Sequence, residues 1–317
     1  MNNLLQSKIT RFRAYQLGSP GSSFSYFDGT FFTLIEARIT DLSRPQLKQE
    51  LQICGKTKIN CLHITSWDND HCANADLNEI LTTLEPAKLE YPGYAPHTKT
   101  GEICLEIIAK YELEQKKKVI KVDPPYIASL NKATGWGYTD IVYWPKILAA
   151  DKPNDNSTAK LFRTGSFNVL SLGDLESAEI ASHFKSCPTL KSETDIMILA
   201  HHGADNGFTT KALLERINPR VTICTSDFDN QFEHPKQEIR DILYELQTPV
   251  FTTKTGDVII ASETPHTHKY TLLNLMTDST DISSTKEFKS KKSHFLNNSD
   301  RAANHYGRQI SPFKRFY

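Results

Sequence analysis

The 317-residue chain contains no run of about 18 apolar residues, the length a membrane-spanning helix needs, and its polar opening MNNLLQSKITRFR lacks the apolar core of a secretory signal. No membrane span is expected, and the expected compartment is the cytoplasm. An excess of charge is also missing: 37 Lys+Arg stand against 37 Asp+Glu, which excludes a nucleic-acid binder working through a uniformly basic surface and leaves only local patches. The six cysteines, Cys54, Cys61, Cys72, Cys104, Cys187 and Cys224, form no CxxC pair, so neither a disulfide framework nor a cysteine-rich zinc knuckle is expected. No internal repeat is present. What remains is globular composition, 38% hydrophobic and 10% aromatic, and at roughly 100–200 residues per domain the length allows one large domain or two small ones.

Aromatic and polar positions alternate over residues 11–39, interrupted by Gly18-Ser19-Pro20-Gly21 and Asp28-Gly29, which predicts two or three short strands joined by tight turns. Helical spacing over Asp41 to Gln52 precedes a buried strand over Lys58 to Thr65, a polar loop over Ser66 to His71, and a helix over residues 73–85. Residues 91–153 are loosely patterned, with Pro-Gly, Pro-Pro and Gly-Trp-Gly punctuation, and read as a partly structured insertion. Strands return over Ser157 to Phe162, Ser166 to Leu172, Asp195 to Leu199 and Arg220 to Thr225, with helices between them. A helix over Lys236 to Leu246 and strands at Val250 to Thr252 and Asp257 to Ala261 complete an α/β layered domain over residues 1–276. From residue 277 the chain is polar and poor in aliphatic residues, with eight basic and four acidic side chains; it reads as a flexible tail whose removal leaves stability nearly unchanged, and as a surface for a protein partner.

Three clusters of ligand-type residues follow directly on predicted strands: Asp68-Asn69-Asp70-His71, Gly173-Asp174, and His201-His202-Gly203. Each alone is ordinary loop chemistry. Together they matter, because in a layered α/β fold the strand-end loops converge on one edge, where carboxylates and imidazoles far apart in sequence can surround a cation such as zinc or manganese. Other features have plainer readings: Lys116 to Lys118 as a solvated run, Trp136 between two glycines as local core, His63 as a strand histidine, His266 and His268 as surface residues.

These clusters also carry a resemblance. Thr65-Ser66-Trp67-Asp68-Asn69-Asp70-His71 resembles the HxDxDH form of the signature of metallo-β-lactamase-fold hydrolases, and the segments around it resemble the hydrolase domain of the ComEC family of DNA-internalisation competence proteins. Tyr15 to Phe24 followed by Phe32 to Ala37 resembles that domain's glycine turn and first strands, with Glu36 where the family usually has Asp. Asn154 to Ser157, Val169 to Glu176, Ile196 to Gly203, Glu233-His234-Pro235 and Thr253 to Ile260 resemble its later segments in the same order.

The resemblance implies an αββα sandwich of the metallo-β-lactamase type and a hydrolase using one or two divalent ions, zinc or manganese. By position it implies Asp68, Asp70 and His71 as first-loop ligands, Asp174 as a carboxylate bridging two metals, and His202 ahead of His201 as the last ligand. Asp70, Asp174 and His201 are the catalytic candidates, with His201 either orienting substrate or donating a proton to the leaving group, and Ser66 and His234 are assigned to the substrate. The implied reaction is attack of a metal-activated water on a phosphodiester of nucleic acid or a nucleotide. Ser66 stands where the family has a ligand His, and Ala204 where it usually has Ser or Thr. The first departure motivates one alternative, a catalytically weakened scaffold that binds a partner; a second, a hydrolase of another ester, lactone or thioester bond, follows from the many hydrolyses such a fold hosts.

Overall fold

The computed structural model describes residues 8–132, 139–262 and 269–293. Strands β1 (Arg11–Ala14), β2 (Phe24–Phe27) and β3 (Phe32–Ile35) open the chain, followed by α1 (Ser43–Ile53), β4 (Cys61–His63), α2 (Asn74–Thr83) and β5 (Lys88–Pro92). The stretch expected to be loosely structured is regular: α3 (Lys99–Gln115), β6 (Lys118–Val122), α4 (Pro124–Lys132) and β7 (Ile141–Trp144) occupy it. Among the described residues the Pro-Pro pair opens α4 at Pro124, and Thr98 caps α3 by accepting from the Gly101 amide. Trp136 falls outside the described residues, as do His266 and His268.

The second half runs β8 (Ala159–Phe162), β9 (Val169–Ser171), α5 (Ala178–Lys185), α6 (Pro188–Glu193), β10 (Ile196–Ile198), α7 (Lys211–Ile217), β11 (Val221–Cys224), α8 (Gln237–Glu245), β12 (Val250–Thr252), β13 (Val258–Ser262), β14 (Lys269–Leu275) and β15 (Ile282–Lys289). Two sheets result among the described residues. One has the order β15-β14-β13-β1-β2-β3-β4-β5-β6, with β3 to β6 parallel; the other has the order β12-β11-β10-β9-β8-β7, with β9 to β12 parallel.

Strand alternation sorts the side chains into three apolar layers. Phe12, Phe24 and Tyr26 of the first sheet meet Phe162, Val169, Ile196 and Ile223 of the second in the layer between the sheets. Leu34, Leu62 and Leu89 on the outer face of the first sheet pack against Leu47 and Leu51 of α1, Leu77 and Ile80 of α2, and Ile108 of α3. Leu161, Leu170 and Met197 on the outer face of the second pack against Phe184, Leu213, Ile217 and Leu243 of its helices. The expected αββα sandwich is therefore formed. None of the described helices is long and apolar enough to cross a membrane, and the six cysteines are free thiols.

The tail expected from residue 277 does not begin there. β15 pairs with β14 along its length, and Phe288 stacks on Tyr270 at 5.5 Å. Beyond it, Lys291 donates its backbone N–H to Asp195 Oδ1 at 2.8 Å, while the buried Lys292 ammonium donates to Asn168 Oδ1 at 2.6 Å and to the Arg163 carbonyl at 2.9 Å. A polar strand is hard to read from composition because β15 is an exposed edge strand held by ladder bonds more than by burial. Truncation after Met276 is accordingly expected to cost about 2 kcal/mol or more, a fall of roughly 5 °C in melting temperature. Thermal denaturation followed by circular dichroism checks this, and an unchanged midpoint would show that β15 and Lys292 contribute nothing.

Candidate metal centre

Parallel strands send their C-terminal ends to one edge of each sheet. β3 leads into Glu36, β4 into the Thr65–His71 loop, β9 into Gly173 and Asp174, β10 into His201 and His202, and β11 into Thr225. Two backbone bonds lock the loops: Ser22 N–H donates to the Asp70 carbonyl at 2.9 Å along the edge of the first sheet, and Thr158 N–H donates to the Thr65 carbonyl at 2.9 Å across the sandwich. Two glycines permit the approach. A Cβ on Gly21, at φ +141°, would lie 2.8 Å from the Asp70 carbonyl oxygen, and one on Gly173, at φ +54°, would lie 2.9 Å from Thr65 Oγ1.

At this edge Asp70, His71, Asp174 and His202 each offer a ligand atom, and these atoms lie within 4.8 Å of one another. His71, Asp174 and His202 are buried; Asp70 is half-buried at the mouth. The imidazoles are aimed from behind. His71 Nδ1 lies 3.2 Å from Glu36 Oε1, whose carboxylate also accepts from Thr65 Oγ1 at 2.6 Å and from Thr65 N–H at 3.0 Å. His202 Nδ1 is 2.8 Å from Thr225 Oγ1, itself 2.8 Å from Ser22 Oγ. Both rings therefore present Nε2 to the centre, the arrangement by which an outer partner fixes the tautomer and direction of a ligating histidine. His71 Nε2 and Asp174 Oδ1 approach to 2.9 Å, and His202 Nε2 lies 3.1 Å from Asp70 Oδ2, so both inward-facing ring nitrogens meet a carboxylate of the same cluster. Two imidazole nitrogens with two carboxylates suit a divalent ion such as zinc or manganese, and the residues present fit one.

Backbone strain accompanies this placement. Glu36, His201 and His202 all lie in the left-handed region, at φ 70°, 45° and 53°, a cost of order 1–3 kcal/mol each that the His201 N–H bond to the Gly173 carbonyl at 2.9 Å helps to hold.

Four of the six residues expected as ligands are thus gathered, and two stand apart. Asp68 is not among them: its Oδ2 accepts from Ser66 Oγ at 3.0 Å and its Oδ1 lies 3.2 Å from His97 Nε2. His201 Nδ1 lies 2.8 Å from Glu176 Oε1, and the side chain, 29% exposed, sits on the rim. His234 lies on the same rim, its ring parallel to that of His202 at 5.9 Å and 6.2 Å from that of His201. His63 is a strand histidine as expected, buried between the sheets with Nδ1 2.8 Å from Glu90 Oε2. Sequence reasoning passed over Thr225, Tyr94 and His97. Thr225 carried the same strand-end signal as the ligands, whereas Tyr94 and His97 lay in the stretch expected to be loose.

The electrostatics follow from burial opposed by close opposite charges. Burial disfavours a charged His71, but Asp174, Glu36 and Asp70 outweigh it and lift its pKa well above the ordinary histidine value. Asp70 and Asp174 are held below the usual carboxylate range, burial again being overcome, here mainly by His71. His234 goes the other way: burial, then His202 and His201, lower it to about 4, so it is neutral at pH 7.

No family model matches the chain. Over 206 residues, 65% of this chain, it is 24% identical to ComE operon protein 3 of Bacillus subtilis, and it spans about a quarter, 25%, of that protein's length. Among solved structures it is similar to the metallo-beta-lactamase fold protein YhfI of Bacillus subtilis, at 12% identity and TM-score 0.45 over 80% of this chain and 100% of that one. It is similar also to Igni18, a metallo hydrolase of Ignicoccus hospitalis, at 15% identity and TM-score 0.46 over 78% and 98% of the two chains.

A pH dependence follows from His71. In the metal-free chain its raised pKa contributes stability that is fully present below about pH 6.5, the unfolded value, and is lost as pH rises through the folded value. Chelator-treated protein is expected to lose stability across that window while a His71→Gln variant does not. Zinc added at pH 7 is expected to release about one proton per chain from His71, measured by titration calorimetry in buffers of different ionisation enthalpy.

Proposed function

We propose that this chain is a metal-dependent hydrolase whose substrate is a phosphodiester of nucleic acid or of a nucleotide. The observation that carries the hydrolase reading is the convergence of Asp70, His71, Asp174 and His202 within 4.8 Å, with both histidines aimed by Glu36 and Thr225. A divalent cation there would supply Lewis acidity toward a substrate oxygen and an attacking water. The chain's own residues do the remainder. Asp70, His71, Asp174 and His202 would hold the ion. His201, steadied by Glu176 on the rim, is placed to pass a proton to the leaving group, and neutral His234 beside it offers a face and a ring nitrogen to the substrate.

The phosphodiester preference is supported by the likeness of the strand-end segments to the hydrolase domain of DNA-internalisation proteins and by the similarity to ComE operon protein 3. The membrane function of such proteins does not transfer with a quarter of their length. The weakened-scaffold alternative loses ground because Ser66 lies outside the four-residue cluster, which is complete without it.

Hydrolysis of DNA, RNA and a nucleotide phosphodiester is expected with zinc or manganese and is expected to stop with a chelator. Asp70→Ala and Asp174→Ala should each lower it by at least about a hundredfold, about 2.7 kcal/mol of transition-state stabilisation. Turnover of esters or lactones alone would replace the phosphodiester reading, and activity indifferent to chelator and to both variants would remove the metallohydrolase reading.

A further inference from the structure

The strongest unabsorbed feature is the polar group beside the four ligands, on the side where the first-loop motif departs from its family. Ser66 is buried, and its hydroxyl bridges Asp68 Oδ2 at 3.0 Å and the Tyr94 hydroxyl at 3.2 Å. The Tyr94 hydroxyl accepts from Trp67 N–H at 3.2 Å, and the Tyr94 carbonyl accepts from the buried Trp67 indole at 2.9 Å, so the tyrosine is fixed at both ends. His97 completes the group, its Nε2 3.2 Å from Asp68 Oδ1 and its ring stacked on Tyr94 at 6.4 Å. Both oxygens of Asp68 are thereby committed to neighbours outside the four-residue cluster, whereas His71 Nε2 and Asp174 Oδ1 meet within it at 2.9 Å.

Resting on the metallohydrolase reading above, we infer that the chain binds one divalent cation and not two. Asp70, His71, Asp174 and His202 hold it, and Ser66, Asp68, Tyr94 and His97 form a hydrogen-bonded wall where a second ion would otherwise sit. The physical reason is ligand supply. A second ion about 3.5–4 Å from the first needs at least two further strong donors on that side. This chain offers there a serine hydroxyl, a poor ligand, and a carboxylate already satisfied by Ser66 and His97. Freeing Asp68 would strip it from His97 and leave the buried Ser66 and Tyr94 hydroxyls to re-pair.

The test uses full-length protein stripped with chelator and reloaded separately with zinc and with manganese, read by elemental analysis and titration calorimetry. Wild type and Asp68→Asn are each expected to take up one equivalent, while Asp70→Asn weakens uptake by more than about tenfold, the loss that removal of even an outer partner brings. Electron paramagnetic resonance of the manganese-loaded wild type, which needs no variant to fold, is expected to show an isolated ion. Two equivalents per chain, a spin-coupled manganese pair, or loss of an equivalent in Asp68→Asn would each overturn the inference and leave the hydrolase reading standing. No bound metal in any sample would overturn both.

Discussion

Two carboxylates, Asp70 and Asp174, face one small space with two imidazoles, and much of the surrounding structure makes that tolerable. Buried like charges repel, and burial by itself would push both carboxyls toward the neutral form. Here His71 and His202 lie among them and Glu36 stands behind His71, so both carboxyls are held below their usual range and His71 is lifted above its own. The cluster is thus an acid-rich pocket that favours positive charge at its centre. A divalent ion would supply that charge, and the fixed direction of both Nε2 atoms leaves the side chains little to reorganise when it does.

The constraint reaches outward. His71 must be held by Glu36, so the turn after β3 adopts a left-handed conformation at Glu36; His202 must be held by Thr225, so the turn after β10 contains two left-handed residues, His201 and His202, supported by the Gly173 carbonyl. Gly173 and Gly21 are positions where a side chain would collide with the loops that carry the ligands. Backbone strain and glycine placement therefore concentrate along the edge where the chemistry is placed, while the three apolar layers fix that edge from behind.

How much of this could be read beforehand depends on the kind of signal. Hydrophobic alternation marked β1 to β4 and β8 to β13, and the ligand-type residues directly after them announced the site, since a strand end is legible from where a periodic run stops. Distinguishing Asp68 from Asp70 was beyond sequence, because two residues of spacing in a loop leave the directions of the side chains open. Only the fold shows Asp68 turned toward Ser66 and His97. The 91–153 stretch was misread because its parallel strand β6 is short and rich in lysine and α4 opens on a Pro-Pro pair that also marks loops. β15 was misread for a different reason: a strand held on an edge by backbone ladder bonds needs no apolar pattern.

The division of the centre between the sheets has a thermodynamic consequence. Asp70 and His71 come from the loop after β4 of the first sheet, Asp174 and His202 from the loops after β9 and β10 of the second, so the four groups meet only once the layer of Phe12, Phe24, Phe162 and Val169 has closed. The unfolded chain offers no such site, and whatever binds all four groups binds the folded state and stabilises it by mass action. The repulsion between Asp70 and Asp174 works in the opposite sense, since closing the sandwich brings the two carboxylates together. The neutral total of 37 basic and 37 acidic residues conceals this local imbalance. What the apolar layer gains by closing must exceed what the acidic edge loses, and that loss shrinks when positive charge enters between the sheets.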